Sequence, residues 1–188
     1  MTICFEGLSC SGKTYLIKRI LSNSSDLIYI PEFVLKTPKE LTTAFCREND
    51  LAKSNLSQAH KKEIVIMDRS YLSTLAYNYI LYKQDLENEY QITQNWVNKK
   101  LQTGKLIKPD LIVYMQITGK EALKRAEYQG KLNTKYAWYK NPKYAIQFYK
   151  NLFKSNETGC PVIVINSFED VSKQETKLWE ELKKFGVN

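Results

Sequence analysis

The residues best placed to do chemistry lie together near the start of the chain, in Gly7-Leu8-Ser9-Cys10-Ser11-Gly12-Lys13-Thr14. Gly7 and Gly12 let the backbone turn tightly and approach a ligand closely. The N–H groups of the intervening Ser9, Cys10 and Ser11 then point inward and form an anion nest at a helix N-terminus. Lys13 adds a point charge that reaches β- and γ-phosphates, and Thr14 adds a hydroxyl suited to Mg²⁺. The apolar run Ile3-Cys4-Phe5 precedes this stretch and the helix-like run Tyr15 to Leu21 follows it, which is the strand–loop–helix setting that a phosphate-binding P-loop requires. A Gly/Ser-rich turn alone accounts for the glycines, but not for Lys and Thr directly after the second one. Lys13 is expected to face solvent when no phosphate is bound.

A second set begins at Ile64-Val65-Ile66-Met67-Asp68, four apolar residues ending in an aspartate. A strand of this kind beside the P-loop strand delivers its carboxylate to Mg²⁺, directly or through water. Arg69 follows at once, and its planar guanidinium suits a phosphate or a reacting oxygen. A structural Asp–Arg pair, with Asp68 or Ser70 capping the next helix, is the other reading.

These groups need a scaffold that brings them to one edge. Runs rich in apolar residues recur at Leu27 to Pro31, Leu111 to Ile117 and Val162 to Asn166, as expected of strands covered on both faces. Between the strands lie helical stretches at Glu40 to Lys62, Tyr71 to Lys83, Leu86 to Leu101, Lys120 to Tyr128, Lys143 to Phe153 and Val171 to Phe185. Alternation of this kind predicts an α/β fold with a parallel sheet, whose ligands sit beyond the carboxyl ends of the strands. The P-loop, Glu32, Asp68-Arg69 and the residues after Val164 all fall there. Lys131 to Pro142 is polar and aromatic without periodicity, and reads as an ordered loop or a lid.

The 188 residues suit one domain spanning 1–188, with no internal repeat or linker. With 43% hydrophobic and 26% charged residues the composition is that of an ordinary soluble globule. No apolar run approaches the roughly 20 residues of a membrane span, and the opening strand lacks the regions of a signal peptide. A cytoplasmic protein with reduced thiols at Cys4, Cys10, Cys46 and Cys160 is expected. The net charge of +8 comes from scattered lysines interleaved with acids such as Glu89, Glu121 and Glu180. That pattern favours a field attracting nucleotides over a nucleic-acid surface.

Phe5-Glu6-Gly7-Leu8 through Lys13-Thr14 resembles the opening of thymidylate kinases. Asp68-Arg69-Ser70-Tyr71-Leu72-Ser73-Thr74-Leu75-Ala76-Tyr77-Asn78 resembles their D-R-Y-x-x-S-x-x-A-Y-Q motif. Pro109-Asp110-Leu111 is similar to the family's P-D-L strand opening, and Ala122-Leu123-Lys124-Arg125 to the helix leading into its lid. The resemblance runs to about Arg125 and takes in the wider deoxynucleoside kinase superfamily. It implies a five-stranded parallel sheet flanked by helices, with a lid near 124–142, and an ATP- and Mg²⁺-dependent kinase acting on a small-molecule nucleotide or nucleoside. The resemblance also implies that Lys13, Arg69 and Arg125 act in catalysis. Arg69 would hold the acceptor's phosphate or 5′-oxygen, and Ser73, Tyr77 and Asn78 would line the acceptor pocket. Arg47 falls where the family places a base-reading arginine, one residue out of register, and an ordinary exposed helix arginine is the alternative. Family members commonly form homodimers through helices.

The chain departs from thymidylate kinases in two places. Leu8-Ser9-Cys10-Ser11 has neither the acid nor the arginine usual in the loop, and Arg125 is the lone arginine near the lid, with Lys124, Lys131 and Lys135 as its other cations. Lysine cannot clamp two phosphates bidentately. Ile30-Pro31-Glu32-Phe33-Val34 resembles instead the V-P-E-P-V segment of deoxynucleoside kinases, where the glutamate is the general base. A nucleoside 5′-hydroxyl must lose a proton on phosphorylation, whereas an acceptor phosphate is already anionic. Three functions follow: a nucleoside monophosphate kinase of thymidylate-kinase type, a nucleoside kinase using Glu32 as base, and an ATP-binding switch without acceptor. The length of the Asp68–Asn78 match favours the first.

Overall fold

The computed structural model describes residues 1–85, 89–133 and 136–187. Its strands are β1 (Thr2–Gly7), β2 (Leu27–Ile30), β3 (Ile64–Asp68), β4 (Leu111–Gln116) and β5 (Val162–Asn166). The helices are α1 (Lys13–Ser22), α2 (Thr43–Ala59), α3 (Tyr71–Lys83), α4 (Glu89–Gln102), α5 (Gly119–Tyr128), α6 (Ala137–Lys140), α7 (Pro142–Ser155) and α8 (Val171–Lys183). The five strands form one parallel sheet in the order β2-β3-β1-β4-β5, with helices on both faces. The start of the Leu86 to Leu101 stretch and Lys135 lie outside the described residues.

Residues alternate between the two faces, and each face has its own core. Ile3, Phe5, Val113 and Met115 meet Leu16, Ile17 and Ile20 of α1 and Leu178 and Leu182 of α8. Ile112 and Tyr114 meet Leu72, Leu75 and Ala76 of α3 and Phe148, Tyr149 and Leu152 of α7. Helix starts are set locally by side-chain caps: Thr42 accepts from Phe45 N, Ser70 from Leu72 N, Thr118 from Glu121 N and Asp170 from Ser172 N. The segment without periodicity holds a short helix, α6, whose Ala137 is buried and whose Trp138 packs on Tyr77 with ring centroids 6.3 Å apart. A single helical turn is too short to print a 3.6-residue pattern in the sequence.

Glu6 is fully buried on the α3/α7 side of β1, directly after the apolar Ile3-Cys4-Phe5. Its Oε1 accepts from Ser70 N at 2.8 Å and Ser70 Oγ at 2.7 Å; its Oε2 accepts from Ser73 Oγ at 2.6 Å and Tyr149 OH at 2.7 Å. A buried carboxylate is tolerated only when its lone pairs are satisfied in this way. The result fixes the start of α3 against β1. Gly7 follows at φ 132°, and a Cβ there would lie 2.7 Å from the Met115 carbonyl oxygen, so the chain can turn away from β4 only with glycine at this position.

Candidate active site

Two cavities open at the carboxyl edge of the sheet and share a wall. The larger, about 640 Å³, is bounded by the P-loop on one side and by Ser167, Phe168 and Gln174 on the other. The smaller, about 250 Å³, lies between α2 and α3 and is roofed by Tyr136, Trp138 and Tyr139. Ser9, Glu32, Arg69, Lys131 and Tyr139 border both. A group passing from one cavity to the other passes these side chains.

In the P-loop, Gly12 has φ 94° and stands at the N-terminus of α1, so the loop's N–H groups lead into the positive end of that helix. Lys13 is buried rather than solvent-facing. Its Nζ donates to the carbonyls of Leu8 at 2.7 Å and Gly7 at 3.2 Å and to Ser11 Oγ at 3.3 Å. The ammonium is satisfied by the loop's own oxygens. Burial lowers its pKa to about 8, Arg69 adds to the effect, and Asp68, Glu32 and Glu6 partly oppose it.

Thr14 Oγ1 donates to Asp68 Oδ2 at 2.6 Å, while Asp68 Oδ1 is buried without a hydrogen-bond partner. A hydroxyl and an orphaned carboxylate oxygen form a hard-oxygen donor set, and no group of three or more His, Cys, Asp or Glu suited to a metal occurs among the described residues. The pair therefore fits Mg²⁺, which is usually held by one or two protein oxygens plus substrate phosphates.

Arg69 sits at the shared wall with φ 68°, a backbone conformation that costs a non-glycine residue of the order of 1–3 kcal/mol. Its N donates to Phe5 O, its carbonyl accepts from Lys53 Nζ, and its Nη1 donates to Gly7 O at 2.9 Å and Ser73 Oγ at 3.0 Å. The guanidinium lies 5.3 Å from the centre of the Trp138 ring. Nε is ion-paired with Glu32 Oε1 at 2.7 Å. Burial raises the cost of a charged Glu32, yet Arg69, Lys13 and Lys53 outweigh it and hold the carboxyl below its ordinary range. Burial likewise works against the Arg69 charge, and Glu32, Tyr149 and Asp68 overcome it.

The remaining expected residues divide. Ser73 and Tyr77 line the smaller cavity. Arg125 borders the larger one, with Nε donating to Glu121 Oε1 at 3.0 Å and Nη2 to the Ser167 carbonyl at 2.8 Å. Arg47 turns away: its Nη2 donates to Thr93 Oγ1 at 2.6 Å and it stacks 5.8 Å from Trp96. Cys46 takes the cavity wall in its place. Asn78 also leaves the pocket, because its amide bridges α2 and α3 by accepting from Thr43 Oγ1 and donating to the Thr74 carbonyl.

Three contributors are new at this level: Asn49, Asp50 and Lys53 of α2. Lys53 Nζ donates to the carbonyls of Asp68 at 2.6 Å and Arg69 at 2.7 Å, and reaches that of Glu32 at 3.4 Å. Asn49 holds the loop after β2, donating to Glu32 O and accepting from Val34 N and Leu35 N. All three belong to a polar stripe that α2 buries, with Thr43, Ser54 and Ser57, and a helix that buries a polar stripe lines a polar site.

A parallel 2-3-1-4-5 sheet with a P-loop after β1, an Asp at the end of β3 and a second cavity meeting the first is the arrangement of a P-loop phosphotransferase. The chain belongs to the thymidylate kinase family, whose model (Thymidylate kinase) matches residues 35–176, and it is a nucleotide kinase. It is 28% identical over 147 residues to a probable thymidylate kinase of Sulfurisphaera tokodaii, a match covering 70% of this chain and 71% of the relative. Among solved structures, deoxyadenosine kinase from M. mycoides with bound dATP superposes with TM-score 0.71 at 20% identity, covering 97% of this chain and 100% of that one. Thymidylate kinase from Candida albicans superposes with TM-score 0.70 at 20% identity, covering 100% and 94%. Both likenesses place the fold. No helix among the described residues is long and apolar enough to cross a membrane.

Proposed function

We propose that the chain moves the γ-phosphoryl group of ATP onto the phosphate of a (deoxy)nucleoside monophosphate, giving ADP and the nucleoside diphosphate. The observation that carries this reading is Arg69, a buried guanidinium on the wall common to both cavities, paired with Glu32 across it. ATP lies in the larger cavity with its phosphates on the P-loop, and Lys13 leaves the Gly7 and Leu8 carbonyls for the phosphate oxygens. Thr14 and Asp68 would hold Mg²⁺, which when bound would supply neutralisation of the charge on the transferring group. Arg69 exchanges Glu32 for an oxygen of the acceptor phosphate and holds it in line with the donor. Arg125 borders the far part of the donor cavity, and Lys131 brings charge from the lid side. An ADP-release assay over a panel of monophosphates and nucleosides tests the reading, with turnover dependent on a monophosphate as the expected result.

One observation favours a second acceptor class. Glu32 borders both cavities and is held ionised by its cationic neighbours, which suits a base for a nucleoside 5′-hydroxyl. Glu32→Gln separates the two. With a monophosphate acceptor the change costs only a few-fold in kcat, because no proton has to be removed. With a nucleoside the loss reaches about 10²–10⁴-fold. Nucleoside turnover that is abolished by Glu32→Gln, with no monophosphate turnover, reverses the order of the two readings.

The roof over the acceptor cavity is expected to tighten during the cycle. Backbone amides within 124–142 should exchange more slowly when both substrates, or a bisubstrate mimic, are bound, since a lid must admit them and then exclude water. Hydrogen exchange that is the same with and without that ligand shows the segment to be a fixed wall.

A further inference from the structure

We propose that Glu6 is the standing counter-charge of Arg69, acting through Ser73 and held in place by Tyr149, so that Glu32 can leave the guanidinium when the acceptor phosphate arrives. Glu6, Ser73 and Tyr149 are positioning residues for the acceptor clamp. The inference rests on Arg69 meeting the acceptor phosphate, as proposed above.

Two carboxylates in different settings serve Arg69. Glu32 is ion-paired with Nε at 2.7 Å, and its side chain is 42% exposed. Glu6 is wholly buried, as is Tyr149, and neither borders a cavity. Glu6 reaches the guanidinium through one hydroxyl: Arg69 Nη1 donates to Ser73 Oγ at 3.0 Å, and Ser73 Oγ donates to Glu6 Oε2 at 2.6 Å. The direction of each bond is fixed. A guanidinium only donates and a carboxylate only accepts, so the Ser73 hydrogen goes to Glu6 and its lone pair to Arg69. Tyr149 OH donates to the same Oε2 at 2.7 Å and lies 3.2 Å from Ser73 Oγ. Burial, and next the charge of Glu6, push the Tyr149 hydroxyl well above its ordinary pKa, so it keeps the proton it donates.

The same carboxylate holds Arg69 at its backbone. Glu6 Oε1 accepts from Ser70 N at 2.8 Å and Ser70 Oγ at 2.7 Å, directly after the Arg69 backbone at φ 68°. Phe5, just before Glu6, accepts from Arg69 N, and Gly7, just after it, accepts from Nη1 at 2.9 Å. Three consecutive residues of β1 therefore grip one arginine at the main chain and at the fork. A strained backbone persists only where its surroundings over-determine it, and here they do.

A buried cation without an anion is costly. Were Glu32 the only partner, its release would leave Arg69 uncompensated whenever no acceptor is bound. Burial works against the Arg69 charge, and Glu32, Tyr149, Asp68 and Glu6 favour it, in that order. Glu32 is exchanged during the cycle and Asp68 belongs to the Mg²⁺ donor set. Glu6 is the anion that never changes partner.

Tyr149→Phe tests this by removing one hydroxyl and leaving the ring against Tyr114 and Phe153. With the monophosphate that turns over fastest in the panel, acceptor kcat/KM should fall by about tenfold, as loss of one hydrogen bond to a charged group does, while ATP affinity without acceptor stays within about twofold. In the Arg69→Lys background the same change should cost less than about twofold, because the fork it orients is gone. A hydroxyl that only stabilises the fold costs the same in both backgrounds, and that result overturns the inference. Glu6→Gln sets an amide donor against the existing donors, and should lower acceptor kcat/KM further than Tyr149→Phe; an equal or smaller loss in a folded Glu6→Gln counts against the proposal, and if that variant fails to fold Tyr149→Phe decides. The Arg69 Nε–H signal, identified in heteronuclear NMR by its absence in Arg69→Lys, reads the positioning with no acceptor present. Its exchange with water should quicken by about fivefold or more in Tyr149→Phe, and unchanged exchange overturns the inference. If no monophosphate turns over in the wild type, the proposed acceptor falls, and this exchange rate alone decides the role of Glu6.

Discussion

Lys13→Ala is expected to lower phosphoryl transfer by about 10²–10³-fold or more, as removing one preorganised charge at a developing anion does. The structure adds a second effect. Lys13 Nζ holds the carbonyls of Gly7 and Leu8 and the Ser11 hydroxyl, so its loss also loosens the nest that receives the phosphates. ATP binding should weaken alongside kcat. Leu16, Ile17 and Ile20, which dock α1 on the sheet, are untouched, and the thermal transition should remain cooperative. Turnover at the wild-type level in this variant would remove the P-loop from the mechanism.

Arg69→Lys is the second large effect. The ammonium keeps the charge but cannot reach Gly7 O, Ser73 Oγ and an acceptor oxygen at once from a planar fork. Acceptor kcat/KM should fall by about 10²-fold or more, while ATP affinity measured without acceptor changes little. Unchanged acceptor kinetics would show the guanidinium to be a structural tie between the P-loop and α3.

The sheet, the P-loop and the Asp68–Arg69 corner were legible in the sequence because each is short, local and chemically distinctive. Five apolar runs alternating with helical stretches give the layers, and the strand ends give the edge. The acceptor side was harder to see. Arg47 and Asn78 have residue types suited to reading a base, but helical phase decides which way a side chain points, and both phases place them outside the cavity. Asp50 and Lys53 look like ordinary surface charges on a polar helix. Their burial follows from α2 lying across the ends of β2 and β3, a relation between segments that no local pattern encodes. Glu6 stands next to the apolar run Ile3-Cys4-Phe5 with nothing local to mark its burial, because its four donors come from the start of α3 and from α7, far along the chain. Lys13 is buried and not solvent-facing for a related reason: its donors are taken by the carbonyls and the hydroxyl of its own loop.

The reach of one ammonium, Lys53, across the carbonyls of Glu32, Asp68 and Arg69 gives the machine a stationary half. The backbones that carry Glu32, Asp68 and Arg69 are tied through their carbonyls to a single nitrogen, while their side chains stay free to change partners. Movement during turnover is then expected of the opposite bank, the segment proposed above as a lid. Adaptation of this enzyme to cold or heat can thus proceed by adjusting the stiffness of that bank alone, leaving the alignment of the reacting atoms inherited and unchanged.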